Sequence, residues 1–135
     1  MSRRQKRLIR REKRRHECHT IGYDRHHIFY QRVNWARGVL AVLRQYPYCK
    51  IYIPRKLHDR IHEEIGNITP PSLVNAIDAM RQLRNLELYG SISELDDFEQ
   101  RLKVLIFLFD SVEPKTVECL KKQLEIVRDF YGEPS

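Results

Sequence analysis

The Pro70-Pro71 pair divides the chain into two halves that must be built differently. Proline fixes φ and has no backbone donor, so two in succession stop whatever element precedes them. Beyond the pair, apolar residues recur at helical spacing. One stripe (Leu73, Ala76, Ile77, Met80, Leu83) predicts a helix over about 72–89, ended by Gly90. A second (Phe98, Leu102, Leu105, Ile106, Phe109) predicts a helix over about 94–112 with Ser93 as its N-cap. A third starts at Glu113-Pro114 and carries Val117, Leu120, Leu124, Val127 and Tyr131. Three such helices can form a small bundle, or pack on the first half and cover its core.

The first half is patchier. Residues 18–32 are rich in aromatic and β-branched side chains around Gly22, which suits a short strand or hairpin. Residues 34–45 suit a helix with Trp35, Val39, Leu40 and Leu43, ended by Tyr46-Pro47. Cys49 to Ile53 alternates like a strand and Pro54 stops it. Residues 55–65 place Leu57, Ile61 and Ile65 on one helical stripe, closed by Gly66. The expected fold class is α+β: a small ββα core over 17–68, a basic N-terminal arm over 1–16, and a C-terminal helical region of about three helices over 69–135.

Charge follows the same division. The net charge is +7, from 25 Lys+Arg against 18 Asp+Glu. Residues 1–15 alone hold nine bases and one acid, a net +8; residues 16–66 carry +3; residues 67–135 carry −4. Like charges this dense repel, so the arm is expected to order only on an anionic surface. Its Arg3, Arg4, Arg7, Arg10, Arg11, Arg14 and Arg15, together with Arg25 and Arg32 of the core, are candidate nucleic-acid contacts. The acidic helical half, 72–135, is the candidate surface for a protein partner.

Several classes are excluded. The longest apolar run, Val104 to Phe109, falls far short of the ~20 residues that span a bilayer, so no membrane partner is expected. The basic N-terminus lacks the apolar stretch of a secretory signal. Three cysteines (Cys18, Cys49, Cys119) are too few for a disulfide framework and fit a reducing compartment, so a cytoplasmic location is expected.

All six histidines precede residue 63. His26-His27 falls at the first strand, and His58-x-x-x-His62 on the helix after the second. Residues at i and i+4 lie one above the other on a helix face. These two sit at the border of the Leu57–Ile61–Ile65 stripe, within reach of a neighbouring strand. Three imidazoles converging on one point describe a metal site with an open position. The same residues could instead be solvated, because Asp59, Arg60, Glu63 and Glu64 surround them.

Asp24-x-His26-His27-Ile28, followed after an insertion by Ile53-Pro54-x-x-Leu57-His58-x-x-Ile61-His62, resembles the ββα-metal finger of the His-Asn-His (HNH) endonucleases. It is most similar to the branch containing the colicin nuclease domains. The resemblance covers about residues 18–66. It implies one divalent metal ion held by His26, His58 and His62, and His27 as general base. Three imidazole ligands favour zinc or nickel; participation of Asp24 would favour magnesium or manganese. The family's middle Asn has no counterpart between Tyr46 and Lys50, and Asn34 follows His27 by only seven residues. Either Asn34 substitutes by another route or the base is unsupported.

The expected function is metal-dependent hydrolysis of phosphodiester bonds, DNA rather than RNA, by an endonuclease of phage or mobile-element type. The alternative is a catalytically inactive module of the same kind that binds nucleic acid, or that inhibits a protein of a nucleoprotein complex.

Overall fold

Antiparallel pairing between two strands 22 residues apart in the chain sets the frame of the molecule. A computed structural model describes residues 22–30, 38–88 and 97–132, together with Ser2, Arg3 and Gln5. The first strand, β1 (Tyr23–His27), pairs with β2 (Lys50–Pro54) in the register Tyr23↔Pro54, Asp24↔Ile53, Arg25↔Tyr52, His26↔Ile51 and His27↔Lys50. Ile28 N–H donating to the Cys49 carbonyl at 2.8 Å extends the pairing by one rung. Between the strands lie α1 (Val39–Gln45) and a one-turn 3-10 helix, Pro47–Cys49. Then follow α2 (Arg55–Ile65), α3 (Leu73–Leu88), α4 (Phe98–Phe109) and α5 (Pro114–Phe130). The class is therefore α+β.

Local chemistry explains most boundaries. Pro54 ends β2 and stands as the N-cap residue of α2, where its missing N–H costs nothing. Gly66 closes α2 at φ +70°, a backbone conformation that side chains with a Cβ rarely adopt. The Arg55 N–H donates to the Gly22 carbonyl, tying the start of α2 to the start of β1. Ser72 Oγ accepts the Asn75 N–H, and Glu113 accepts both the Ser72 N–H (2.7 Å) and the Asn75 amide (2.6 Å). A carboxylate is thereby placed at the start of α3, where the helix dipole favours it.

Four sequence expectations shift. Cys49 belongs to the 3-10 turn rather than to β2, because Pro47 supplies the fixed φ that starts the turn. The N-cap of α4 is Asp97, not Ser93: the Asp97 carboxylate accepts the Glu99 N–H at 2.9 Å, and the helix runs Phe98–Phe109. Tyr131 lies past the end of α5 and is exposed, leaving Val117, Leu120, Leu124 and Val127 as the buried stripe. In α3 the buried residues are Ala76, Ala79 and Leu83, while Leu73, Val74 and Ile77 face outward. The helix turns its small residues inward, which lets it approach its neighbours closely. Within the helix expected over 34–45, residues 34–37 lie outside the described residues.

The core is continuous between the two halves of the chain. Ile28, Phe29, Leu43, Ile53, Leu57 and Ile61 from the first half join Ala76, Leu83, Leu102, Leu105, Phe109, Leu120 and Val127 from the second. The Phe29 and Phe109 rings meet edge to face at 5.8 Å. The helical region covers the ββα unit: α2 packs on α5, and α1 on α3. Polar clasps mark the same seams. Arg60 pairs with Asp129 at 2.6 Å, linking α2 to α5. Arg128 pairs with Glu99 at 2.8 Å, linking α5 to α4. Arg101 of α4 donates through Nη1 to the carbonyls of Pro47 (3.3 Å), Tyr48 (3.2 Å) and Lys50 (2.6 Å). Among the described residues no helix is long and apolar enough to cross a membrane.

Candidate metal centre

Three elements bring three imidazoles to one place. Strand β1 carries His26 inward, fully buried. Helix α2 follows β2 at once, so its first turns lie beside the strand that pairs with β2. His58 and His62, one turn apart, face His26 with ring centroids at 5.3 and 5.9 Å, and lie 4.2 Å from each other. One ligand atom from each of the three lies within 4.8 Å of the other two, close enough to hold a metal ion. Phe98 of α4 closes one side of His26 at 5.4 Å, and the Tyr30 ring lies 3.6 Å from that of His62. His58, one-fifth exposed, and His62 are both only partly buried.

The tautomers follow from the neighbours. His26 Nε2 lies 3.0 Å from Gln123 Oε1 of α5, and Gln123 Nε2 donates to the Ile28 carbonyl at 2.9 Å. The Gln123 amide cannot be reversed, since its oxygen would then face the Ile28 carbonyl oxygen with no proton between them. Its oxygen can only accept, so His26 carries its proton on Nε2. His26 Nδ1 keeps its lone pair and is buried without a hydrogen-bond partner. Buried polar atoms are normally satisfied, and such an exception demands an explanation. A metal ion supplies one.

Asp24 is the alternate residue to His26 along β1 and shares its face. Asp24 Oδ2 lies 3.2 Å from His58 Nδ1, which donates to it; in the neutral ring Nε2 then keeps its lone pair. The same carboxylate takes Arg55 at 3.3 Å. Burial raises the Asp24 pKa, but the hydrogen bonds from Arg55 and His58 outweigh it and hold the carboxyl below its ordinary value. Asp24 also belongs to a second close group with His58 and the exposed Asp59. Its bond to His58 Nδ1 fits better the carboxylate that orients a metal-binding imidazole. Asp24→Ala should therefore weaken the binding of a divalent ion by the three histidines roughly tenfold to hundredfold, measured by chelator competition. An unchanged affinity would show that His58 needs no such partner.

Burial, reinforced by the like charges that protonated His58 and His62 would carry, pushes His26 down to about 3 against the hydrogen bond to Gln123. The ring is therefore neutral at pH 7, the form that ligates.

His27 stands apart from this group. As the next residue of β1 it turns to the other face, toward α1, where Gln45 Oε1 lies 3.4 Å from its Nε2. Burial, with Arg44, Lys50 and Arg25 nearby, lowers His27 to about 4. Arg25 is exposed beside it. Arg3 is exposed in the arm; Arg4, Arg7, Arg10, Arg11, Arg14, Arg15, Arg32 and Asn34 lie outside the described residues.

Two polar residues at these histidines escaped the sequence reading. Gln45 is the last residue of the helix predicted over 34–45 and carries no local signal of its contact with His27. Gln123 interrupts the buried stripe of α5 and is seven residues from Thr116, also buried. Two polar positions on an apolar face, two turns apart, are the signal that could have marked it. Thr116 finds its partner in the Thr69 carbonyl at 2.9 Å. Comparison with known proteins found no family model, no curated protein and no solved structure that matches this chain.

Proposed function

We propose that the chain is a metal-dependent endonuclease of the His-Asn-His type, hydrolysing phosphodiester bonds of nucleic acid, with DNA as its substrate. The observation that carries this reading is the convergence of His26, His58 and His62, with the buried Nδ1 of His26 lacking any other partner. Three nitrogen donors favour zinc or nickel, and with Asp24 engaged as the partner of His58, magnesium and manganese fit less well. A bound divalent ion neutralises charge on the phosphate under attack.

The chain's own residues do the rest. His27 is neutral at pH 7, so one ring nitrogen is free to take a proton from water. With Gln45 Oε1 at 3.4 Å accepting a proton carried on His27 Nε2, Nδ1 would be the basic atom. Gln45 would then do for this ring what the family's middle Asn does. Arg25, Arg44 and Lys50 surround His27 with positive charge suited to a phosphate backbone. The basic arm adds sequence-independent attraction. The free thiols Cys49 and Cys119 suit a reducing cytoplasm.

Nicking of supercoiled plasmid in the presence of zinc, nickel, magnesium or manganese tests the reading. His27→Ala should slow cleavage by roughly 10² to 10⁴-fold, with metal content and DNA affinity kept. A wild-type chain that binds metal and DNA yet never cuts sinks it. The second reading, a non-cleaving nucleic-acid module, would then stand; the absent middle Asn and the long Gln45 contact favour it.

A further inference from the structure

The family resemblance ends near residue 66, yet a buried side chain from residue 123 reaches the proposed metal centre. We propose that Gln123 is a positioning residue that fixes His26 as its Nε2–H tautomer and so makes Nδ1 the ligand atom, which builds α5 into the metal site. The inference rests on the metal reading of the three histidines.

Three observations support it. Gln123 is buried, on a helix face it shares with Thr116, Val117, Leu120, Leu124 and Val127. An amide in such a place costs stability unless both of its ends are bonded. Both are: the nitrogen to the Ile28 carbonyl and the oxygen to His26. The Ile28 bond is what gives the arrangement its direction. Ile28 follows the histidine doublet, and its own N–H is held by Cys49 in the strand ladder. The backbone of β1 therefore sets which way the Gln123 amide points, and the amide sets which nitrogen of His26 holds the proton. Metal-ligating histidines commonly donate their second ring N–H to an acceptor of this kind, which fixes both tautomer and ring orientation.

The arrangement also states what a merely structural glutamine would not do. A packing role is met by any side chain of similar volume. A tautomer role is met only by an acceptor at that point. Gln123→Met keeps volume and removes the acceptor, whereas Gln123→Glu, buried and protonated, keeps an acceptor toward His26 and a donor toward the Ile28 carbonyl.

The experiment has two readouts on the full-length chain. The first is long-range ¹H–¹⁵N NMR of the imidazoles in the metal-free protein, which assigns the proton to Nδ1 or Nε2. The second is zinc affinity by chelator competition, with far-UV circular dichroism reporting the fold. Wild type should show His26 as Nε2–H. Gln123→Met should lose that preference and bind zinc roughly tenfold to hundredfold more weakly. Gln123→Glu should keep the tautomer and bind more tightly than Gln123→Met. A wild-type His26 carrying its proton on Nδ1 overturns the proposal, whether or not the methionine variant folds. So does a folded Gln123→Met that binds zinc as wild type does. If the tautomer behaves as described while wild type takes up no zinc, Gln123 still holds His26 and it is the metal reading that falls.

Discussion

His58→Ala should cost the chain about two to three orders of magnitude in zinc affinity. The apparent binding free energy of a structural zinc site is about 10–16 kcal/mol over four ligands, roughly 3 kcal/mol each. His58 is the choice among the three because it is partly exposed and makes its one hydrogen bond to Asp24. Its removal leaves that carboxylate with Arg55 still bound, so the metal-free fold loses little. Chelator competition reads the affinity, and thermal melting with and without zinc reads the coupling. Wild type should gain stability with zinc and His58→Ala should gain almost none. A zinc-dependent gain equal to that of wild type would remove His58 from the site.

Phe109→Ala should have the largest effect on the metal-free chain. Phe109 is fully buried at the end of α4, its ring against Phe29 just after β1. Truncating a buried phenylalanine to alanine costs about 3–5 kcal/mol, through lost burial and the cavity left behind. Domains are stable by about 5–15 kcal/mol, so this is about a fifth of the total at the least. Urea unfolding of the metal-free protein measures it, and a loss below about 1 kcal/mol would show that the two halves do not share this core. The pairing with His58→Ala is informative. One variant should fail with metal and survive without it; the other should be weak in both conditions.

The elements that could be read from the sequence are those whose signals are local. Helix α2 spans residues 55–65 as read, because Pro54 and Gly66 bracket an unbroken amphipathic stripe. Within it His58 and His62 share a face by helical geometry alone, and strand–strand–helix order sets His26 opposite them. The face of α3 was harder to read. Leu73 and Ile77 look like core residues, but Ala79 is the one that packs, since a close neighbour rewards small size over hydrophobicity. The start of α4 depended on which of several polar residues near its first turn captured a backbone N–H. Gln123 and Gln45 are contributors of another kind: the contact of Gln123 with His26 spans 97 positions, and no local pattern encodes a partner that distant.

Arg101 also bears on which histidine of the doublet joins His58 and His62. Side chains alternate along a strand, so slipping one residue in the β1–β2 pairing would turn His26 outward and His27 inward. The segment joining the two strands is too long to fix that register as a tight turn does. Arg101 holds the carbonyls of Pro47, Tyr48 and Lys50 where the 3-10 turn passes into β2, and holds them from α4, outside the sheet. The start of β2 and the turn before it are thus tied to α4 as well as to β1. A one-residue shift of β2 would pull the Lys50 carbonyl off Arg101, so this clasp opposes the slip that would put His27 where His26 now meets His58 and His62.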